Sequence, residues 1–317
     1  MSDPSGGNQV AISSFYPRLP GKTRLPYGQC DRIPWMAADL IGRRVAVILM
    51  GGNTAAVRAM LAATQAIPIV FTSGADPGAT GLVASLNRPG GNATGVTIAS
   101  SELGPKKLEL LHELVPAAKK IAMLVNPNNR VTLEDDVRSA QEAAPRLGLE
   151  MIVVNGGTES EIETAFTAAA QQGAGAVYAG NDTFFSAQRA QIAALALRHK
   201  LPTMAGAPDS VRAGQLISYG ANDFDMYRQA GVYVGRILRG EKAGDLPVMQ
   251  PTEFDLAINL KTAKALGVEI PPTLLARADE VIEYENREGG SDETSPPHIL
   301  ASGSGRCRSP RETGPLA

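Results

Sequence analysis

One regularity constrains this chain more than any other. Short apolar runs alternate with amphipathic segments, and Gly, Asn, Asp or Pro separates them almost everywhere. Residues 45–50, 67–71, 95–98, 121–125, 151–154, 176–179, 202–205 and 216–219 are too short for stable helices and read as buried strands. The segments at 31–41, 54–63, 101–114, 133–147, 183–198 and 223–238 read as helices, several with apolar residues at helical spacing. Strand and helix in strict alternation, joined by short loops, predict an α/β fold with doubly wound parallel sheets. Two such series, joined near 116–119 and again near 219–222, predict two lobes of similar build. Pro77 suits the first turn of a further helix, closed by Arg88-Pro89-Gly90-Gly91-Asn92. Pro145, in the last turn of the 133–147 segment, is expected to shorten or bend it.

Composition narrows the function. The 317 residues are 44% hydrophobic, enough for one large domain or two ordinary ones, and the net charge of −2 predicts no nucleic-acid partner. Two cysteines, Cys30 and Cys307, and three scattered histidines predict neither a disulfide framework nor a metal site. No stretch approaches the ~18 apolar residues of a membrane span. The first residues, Met1-Ser2-Asp3-Pro4-Ser5-Gly6-Gly7, have neither the basic nor the apolar region of a secretory signal, which taken alone predicts a cytoplasmic protein. After Glu283 the apolar pattern stops, and 285–317 read as a disordered tail.

The loops at the carboxyl ends of the strands carry the chemistry, because open α/β sheets bind ligands there. These loops are rich in small and amide residues, and several precede helices, whose free N–H groups and dipoles favour a carboxylate. Asp76 or Asp182 can take an ammonium, so a site with both features suits a zwitterion such as an amino acid. The candidate ligand-binding residues are Asn53, Thr54, Thr72, Asp76, Asn126, Thr158, Asn181, Asp182, Tyr219 and Gly220. Each has a plainer reading: Asp76 and Asp182 as helix caps, Asn126-Pro127-Asn128 as a turn, and Tyr219 as a residue of the core edge. Gly51-Gly52-Asn53-Thr54 lacks the Lys-Ser/Thr ending of a phosphate loop. Thr158 and Glu161 have capping-box spacing. Trp35 reads as packing, and His112 and His199 as solvated. One of Phe184 and Phe185 is expected in the core and the other at the cleft. No G-x-S-x-G, H-E-x-x-H or G-x-G-x-x-G motif is present, so neither catalysis nor a cofactor is predicted.

Longer strings are more specific. Gly81 to Thr97, Glu102-Leu103-Gly104-Pro105-Lys106-Lys107-Leu108-Glu109-Leu110-Leu111, Leu124-Val125-Asn126-Pro127-Asn128, Tyr227-Arg228-Gln229-Ala230-Gly231, Leu246 to Thr252 and Asn259 to Gly267 occur in order. Together they resemble the substrate-binding proteins of ABC transporters, in the family that includes tryptophan- and tyrosine-type solute-binding proteins. The likeness runs from about residue 29 to 283. It implies the type I periplasmic-binding fold, two lobes around a hinged cleft crossed three times by the chain. The implied lobes are 1–118 with 222–250 and 119–221 with 251–284. It also implies a small-molecule ligand, an ABC permease as partner, a monomer, and a periplasmic location. The family's Asn/Asp turn corresponds to Asn181-Asp182, which moves Asp182 toward ligand binding. The family's first strand and helix have no counterpart in the string, so the N-terminal lobe is expected to lack them. A cytoplasmic sensor on the same fold and an unrecognised α/β enzyme are the alternative readings.

Overall fold

The computed structural model describes residues 10–13, 33–51, 54–98 and 103–283; Asn53, both cysteines and the expected tail lie outside them. The first sheet has strands β1 (Val10–Ser13), β2 (Val47–Gly51), β3 (Ile69–Ser73) and β4 (Ala93–Thr97), in the order β1-β2-β3-β4 and all parallel. Alternation along its central strands sorts the side chains between two faces. Ile48, Met50, Ile69 and Phe71 pack with α1 (Ile33–Gly42) and α2 (Thr54–Ala63). Val47, Leu49 and Val70 pack instead with a helix from much later in the chain, residues Asp223–Leu238.

The second sheet has β5 (Lys120–Val125), β6 (Glu150–Asn155), β7 (Ala176–Ala179), β8 (Thr203–Ala205), β9 (Ile217–Ala221), β10 (Phe254–Asn259) and β11 (Glu280–Ile282). Their order is β11-β10-β9-β8-β7-β5-β6. Its helices are α3 (Gly104–Leu114), α4 (Arg130–Ala143), α5 (Glu159–Gln171), α6 (Thr183–Ala187), α7 (Arg189–His199) and α8 (Pro208–Arg212). The late helix 223–238 is then α9, followed by α10 (Leu260–Leu266) and α11 (Pro272–Leu275). Ile121, Met123 and Val125 face α3 and α4, while Ala122 and Leu124 face α5 and α7. The fold is therefore the expected pair of doubly wound lobes; the first lobe, expected to lack its first strand and helix, opens on β1, which pairs parallel with β2.

Several details differ from expectation. β10 runs antiparallel to β9, so the second sheet is mixed. The helix expected from Pro77 does not propagate. Residues 77–81 form turns, and Gly81, with φ +70°, leaves the helical region after one turn. The 183–198 helix is divided at Gln188 into α6 and α7. α3, expected with the first lobe, buries Leu108, Leu110, Leu111 and Leu114 in the core of the second. Trp35 is 63% exposed rather than packed. His112 and His199 are half-buried, each with a ring nitrogen that has no hydrogen-bond partner among the described residues. Pro145 acts as expected: α4 ends at Ala143 and a 3₁₀ turn, Ala144–Leu147, follows.

Two chain crossings between the sheets lie side by side. Asn222 caps α9 by accepting from Asp225 N at 2.8 Å, and its Nδ2 donates to Asp255 at 2.8 Å. After α9 the chain runs beside β4, where Thr94 Oγ1 donates to Leu246 O and Thr97 N to Met249 O, before it enters β10.

Candidate functional site

The carboxyl ends of the two sheets face one cleft of about 120 Å³. From the first lobe it receives Thr54 at the start of α2, Thr72 and Ser73 at the end of β3, and Tyr227 from α9. From the second it receives Asn181 and Asp182 after β7, Phe185 from α6, and Gly206 after β8.

The first-lobe wall is a hydroxyl pair. Ser73 Oγ donates to Ala75 O at 3.1 Å and accepts from Ala75 N at 3.2 Å. Thr54 Oγ1 stands 3.1 Å from the same Ser73 oxygen. Either hydroxyl can donate across that contact, so the pair has both a proton and lone pairs to offer at the cleft wall. Gly51 lets the Tyr227 ring approach, since a Cβ there would stand 3.0 Å from the Tyr227 hydroxyl.

The second-lobe wall is built around Asp182. Its Oδ1 accepts from Phe184 N at 2.7 Å and Asn126 Nδ2 at 3.2 Å; its Oδ2 accepts from Asn129 Nδ2 at 2.7 Å. The residue therefore caps α6 and also lines the cleft. Burial raises its pKa, while the hydrogen bonds from Asn129 and Asn126 oppose that rise. A carboxylate accepts about four hydrogen bonds, so a ligand cation still has a place on Oδ2.

Of the ten candidates, Thr54, Thr72, Asn181 and Asp182 line this cleft, and Asn126 supports Asp182 from behind. Four others are placed elsewhere. Asp76 is exposed and accepts from Gly78 N and Ala79 N, closing the turn after β3. Thr158 caps α5, accepting from Glu161 N at 3.2 Å, while Glu161 accepts from Gly157 N at 2.8 Å. Tyr219 packs on the second-lobe core and stacks on Phe254 with ring centroids 5.9 Å apart. Gly220 allows a close backbone approach: a Cβ there would lie 1.8 Å from Gly206 O. Among the described residues no group of three acidic, His or Cys side chains is placed to hold a metal, and no helix is long and apolar enough to cross a membrane.

The sequence reading missed Ser73, Tyr227, Gly206 and Lys107 as parts of the site. Lys107 is completely buried, and its Nζ donates to Asn181 Oδ1 at 3.0 Å. A signal was present: Lys107 precedes Leu110, Leu111 and Leu114 by three, four and seven residues, the spacing of the buried helix face. Phe185 is buried at the cleft and Phe184 packs against the core.

Comparison with known proteins adds to this geometry. The profile of a family described as ABC transporter substrate binding protein matches residues 28–282. A tyrosine-binding protein of Clostridioides difficile is 31% identical over 217 residues, 68% of this chain; the match spans 62% of that protein's length. The crystal structure of an ABC domain in complex with L-Trp from Streptococcus pneumoniae superposes with a TM-score of 0.77 at 22% identity, covering 86% of this chain and all of that one. A conserved domain protein from Vibrio cholerae gives a TM-score of 0.74 at 25% identity, covering 86% and 98% of the two chains.

Proposed function

The chain belongs to the family of ABC transporter substrate-binding proteins, and from that premise we propose that it is the solute-binding component of an importer whose ligand is an α-amino acid with an aromatic side chain. One observation carries this reading: across a single cleft, the Thr54–Ser73 hydroxyl pair faces the Asn181–Asp182 turn. A carboxylate and an ammonium on one carbon match donors and acceptors set this close together. Tyr227 and Phe185 supply apolar walls for the ligand side chain. The tyrosine-binding relative and the L-Trp-bound neighbour support an aromatic amino acid.

In this proposal the lobes move about the paired crossings at Asn222 and Asp255, close on the ligand, and offer the closed form to a membrane permease. The first lobe then comprises the chain up to about residue 103 with 222–250, and the second comprises 104–221 with 251–284. Export to the outer side of the inner membrane, the usual location of the family, belongs to the same reading. No chemical step is assigned to the site.

Titration calorimetry of the full chain with the twenty amino acids tests the proposal. Binding confined to tyrosine, tryptophan or phenylalanine, with no turnover of the bound compound, is the expected result. Binding of none of the twenty would overturn the ligand assignment.

A further inference from the structure

Directly behind the second-lobe wall lies a cation that the loop chemistry does not explain. Lys107 sits in the first turn of α3, on the face that otherwise buries Leu108, Leu110, Leu111 and Leu114. It is fully buried. Taking an ammonium out of water is costly unless donors and acceptors are matched, and a leucine or methionine would fill this position without that cost. The groups facing Lys107 Nζ are Asn181 Oδ1 at 3.0 Å, the Tyr178 ring at 5.7 Å to its centroid, and the charge of Asp136 on α4. Desolvation lowers the Lys107 pKa to about 8, and Asp136 works against that shift.

The pairing has a direction. An ammonium has three donors and no acceptor, whereas a carboxamide carries an acceptor on one side and two donors on the other. Lys107 can therefore engage only the oxygen of Asn181. Gly206 backs the same oxygen, since a Cβ at 206 would stand 2.2 Å from Asn181 Oδ1 and 3.6 Å from Lys107 Nζ. With Oδ1 held between these two, Nδ2 points the other way, and Asn181 is a residue of the cleft wall.

We infer that Lys107 is a positioning residue for ligand recognition: it sets the flip of the Asn181 carboxamide, so that Asn181 offers donors to the cleft and reads an acceptor group on the ligand. The neighbouring Asp182 has the opposite polarity, since its carboxylate only accepts. Two consecutive side chains thus read opposite ends of a zwitterion, Asn181 the carboxylate and Asp182 the ammonium. The assignment of the acceptor as an α-carboxylate rests on the amino-acid reading above; the orientation of Asn181 does not.

Titration calorimetry with L-tryptophan, L-tyrosine and tryptamine on the full chain provides the test. Lys107→Met is expected to weaken amino-acid binding at least tenfold in the wild-type background, and no more than twofold when added to Asn181→Ala. A purely structural lysine would weaken both backgrounds equally, and that result would overturn the inference. Asn181→Asp keeps an acceptor for Lys107 but replaces the Nδ2 donors with an oxygen. It is expected to weaken L-tryptophan at least tenfold and leave tryptamine, which lacks the carboxylate, no weaker than before. Wild-type affinity for L-tryptophan in this variant counts against the inference.

If the wild-type chain binds neither amino acid, the amino-acid reading fails and the orientation is decided separately by NMR. The Asn181 side-chain amide signals, identified by their loss in Asn181→Asp, should exchange freely with water in the ligand-free protein. They should also move in Lys107→Met. Strong protection in the wild type, or no change in the variant, overturns the inference even where calorimetry is silent.

Discussion

Gly206 and Asn181 are fitted to each other: the position of a Cβ on Gly206 lies 2.2 Å from the Asn181 carboxamide oxygen. Gly206→Ala must therefore displace Asn181. Overpacking of this kind costs about 1–3 kcal/mol. Because Asn181 borders the cleft, part of that strain should appear as weaker binding. We expect at least a tenfold rise in Kd by calorimetry, with unfolding still cooperative.

The buried Lys107 makes stability depend on alkaline pH. Its folded pKa, about 8, lies below the unfolded value of 10.5. Between those values the unfolded chain binds more protons, so folding stability rises with pH through that window; below pH 8 the penalty of the buried charge is fully present. Relative to Lys107→Met, the wild type should gain about 1.5 kcal/mol between pH 8 and 9.5. Denaturant titrations of both proteins at the two pH values measure this. A flat difference would show that the ammonium is not held at a lowered pKa.

Asp182 acts in the opposite sense. Burial raises its folded pKa above the ordinary carboxylate value of 3.8, so the folded state holds the proton more tightly. Its contribution is most favourable below pH 3.8 and declines as pH rises through the folded value. The stability difference between wild type and Asp182→Asn should therefore shift toward the variant across that window. Asp182→Ala removes the α6 cap and leaves the Asn126 and Asn129 amides without their acceptor. A loss of about 2 kcal/mol at pH 7 is expected in chemical denaturation, together with loss of ligand binding.

Thr158 and Asp76 provide the contrasting case. Both serve local backbone geometry away from the cleft. Thr158→Ala should cost about 1 kcal/mol through its lost cap, and Asp76→Ala less, because that turn is exposed. Neither should change ligand affinity by more than twofold. A tenfold change in either variant would return that residue to the binding site.

Much of the architecture was legible because it follows from repeating local patterns. Strands such as β5 and β7 are short apolar runs between turn residues, and their alternating faces fill two helical layers whatever the rest of the chain does. Thr158 and Glu161 announced the α5 cap by spacing alone. The 77–88 segment misled because Pro77 is an acceptable helix start, while Gly81 stops the helix after one turn. Trp35 misled because position on an amphipathic helix does not reveal which neighbours remain to cover it.

The site divides along the same line. The alternation of strand and helix, the two lobes, and Asp182 as the cap of α6 could all be read from residues close together in the chain. Packing placed Asp76, Thr158, Tyr219 and Gly220 away from the cleft lining and set α3 in the core of the second lobe. It alone brought Lys107 within 3.0 Å of Asn181 across 74 positions of sequence. A buried ammonium takes its partner from whatever packing places opposite it, and no local periodicity encodes that neighbour.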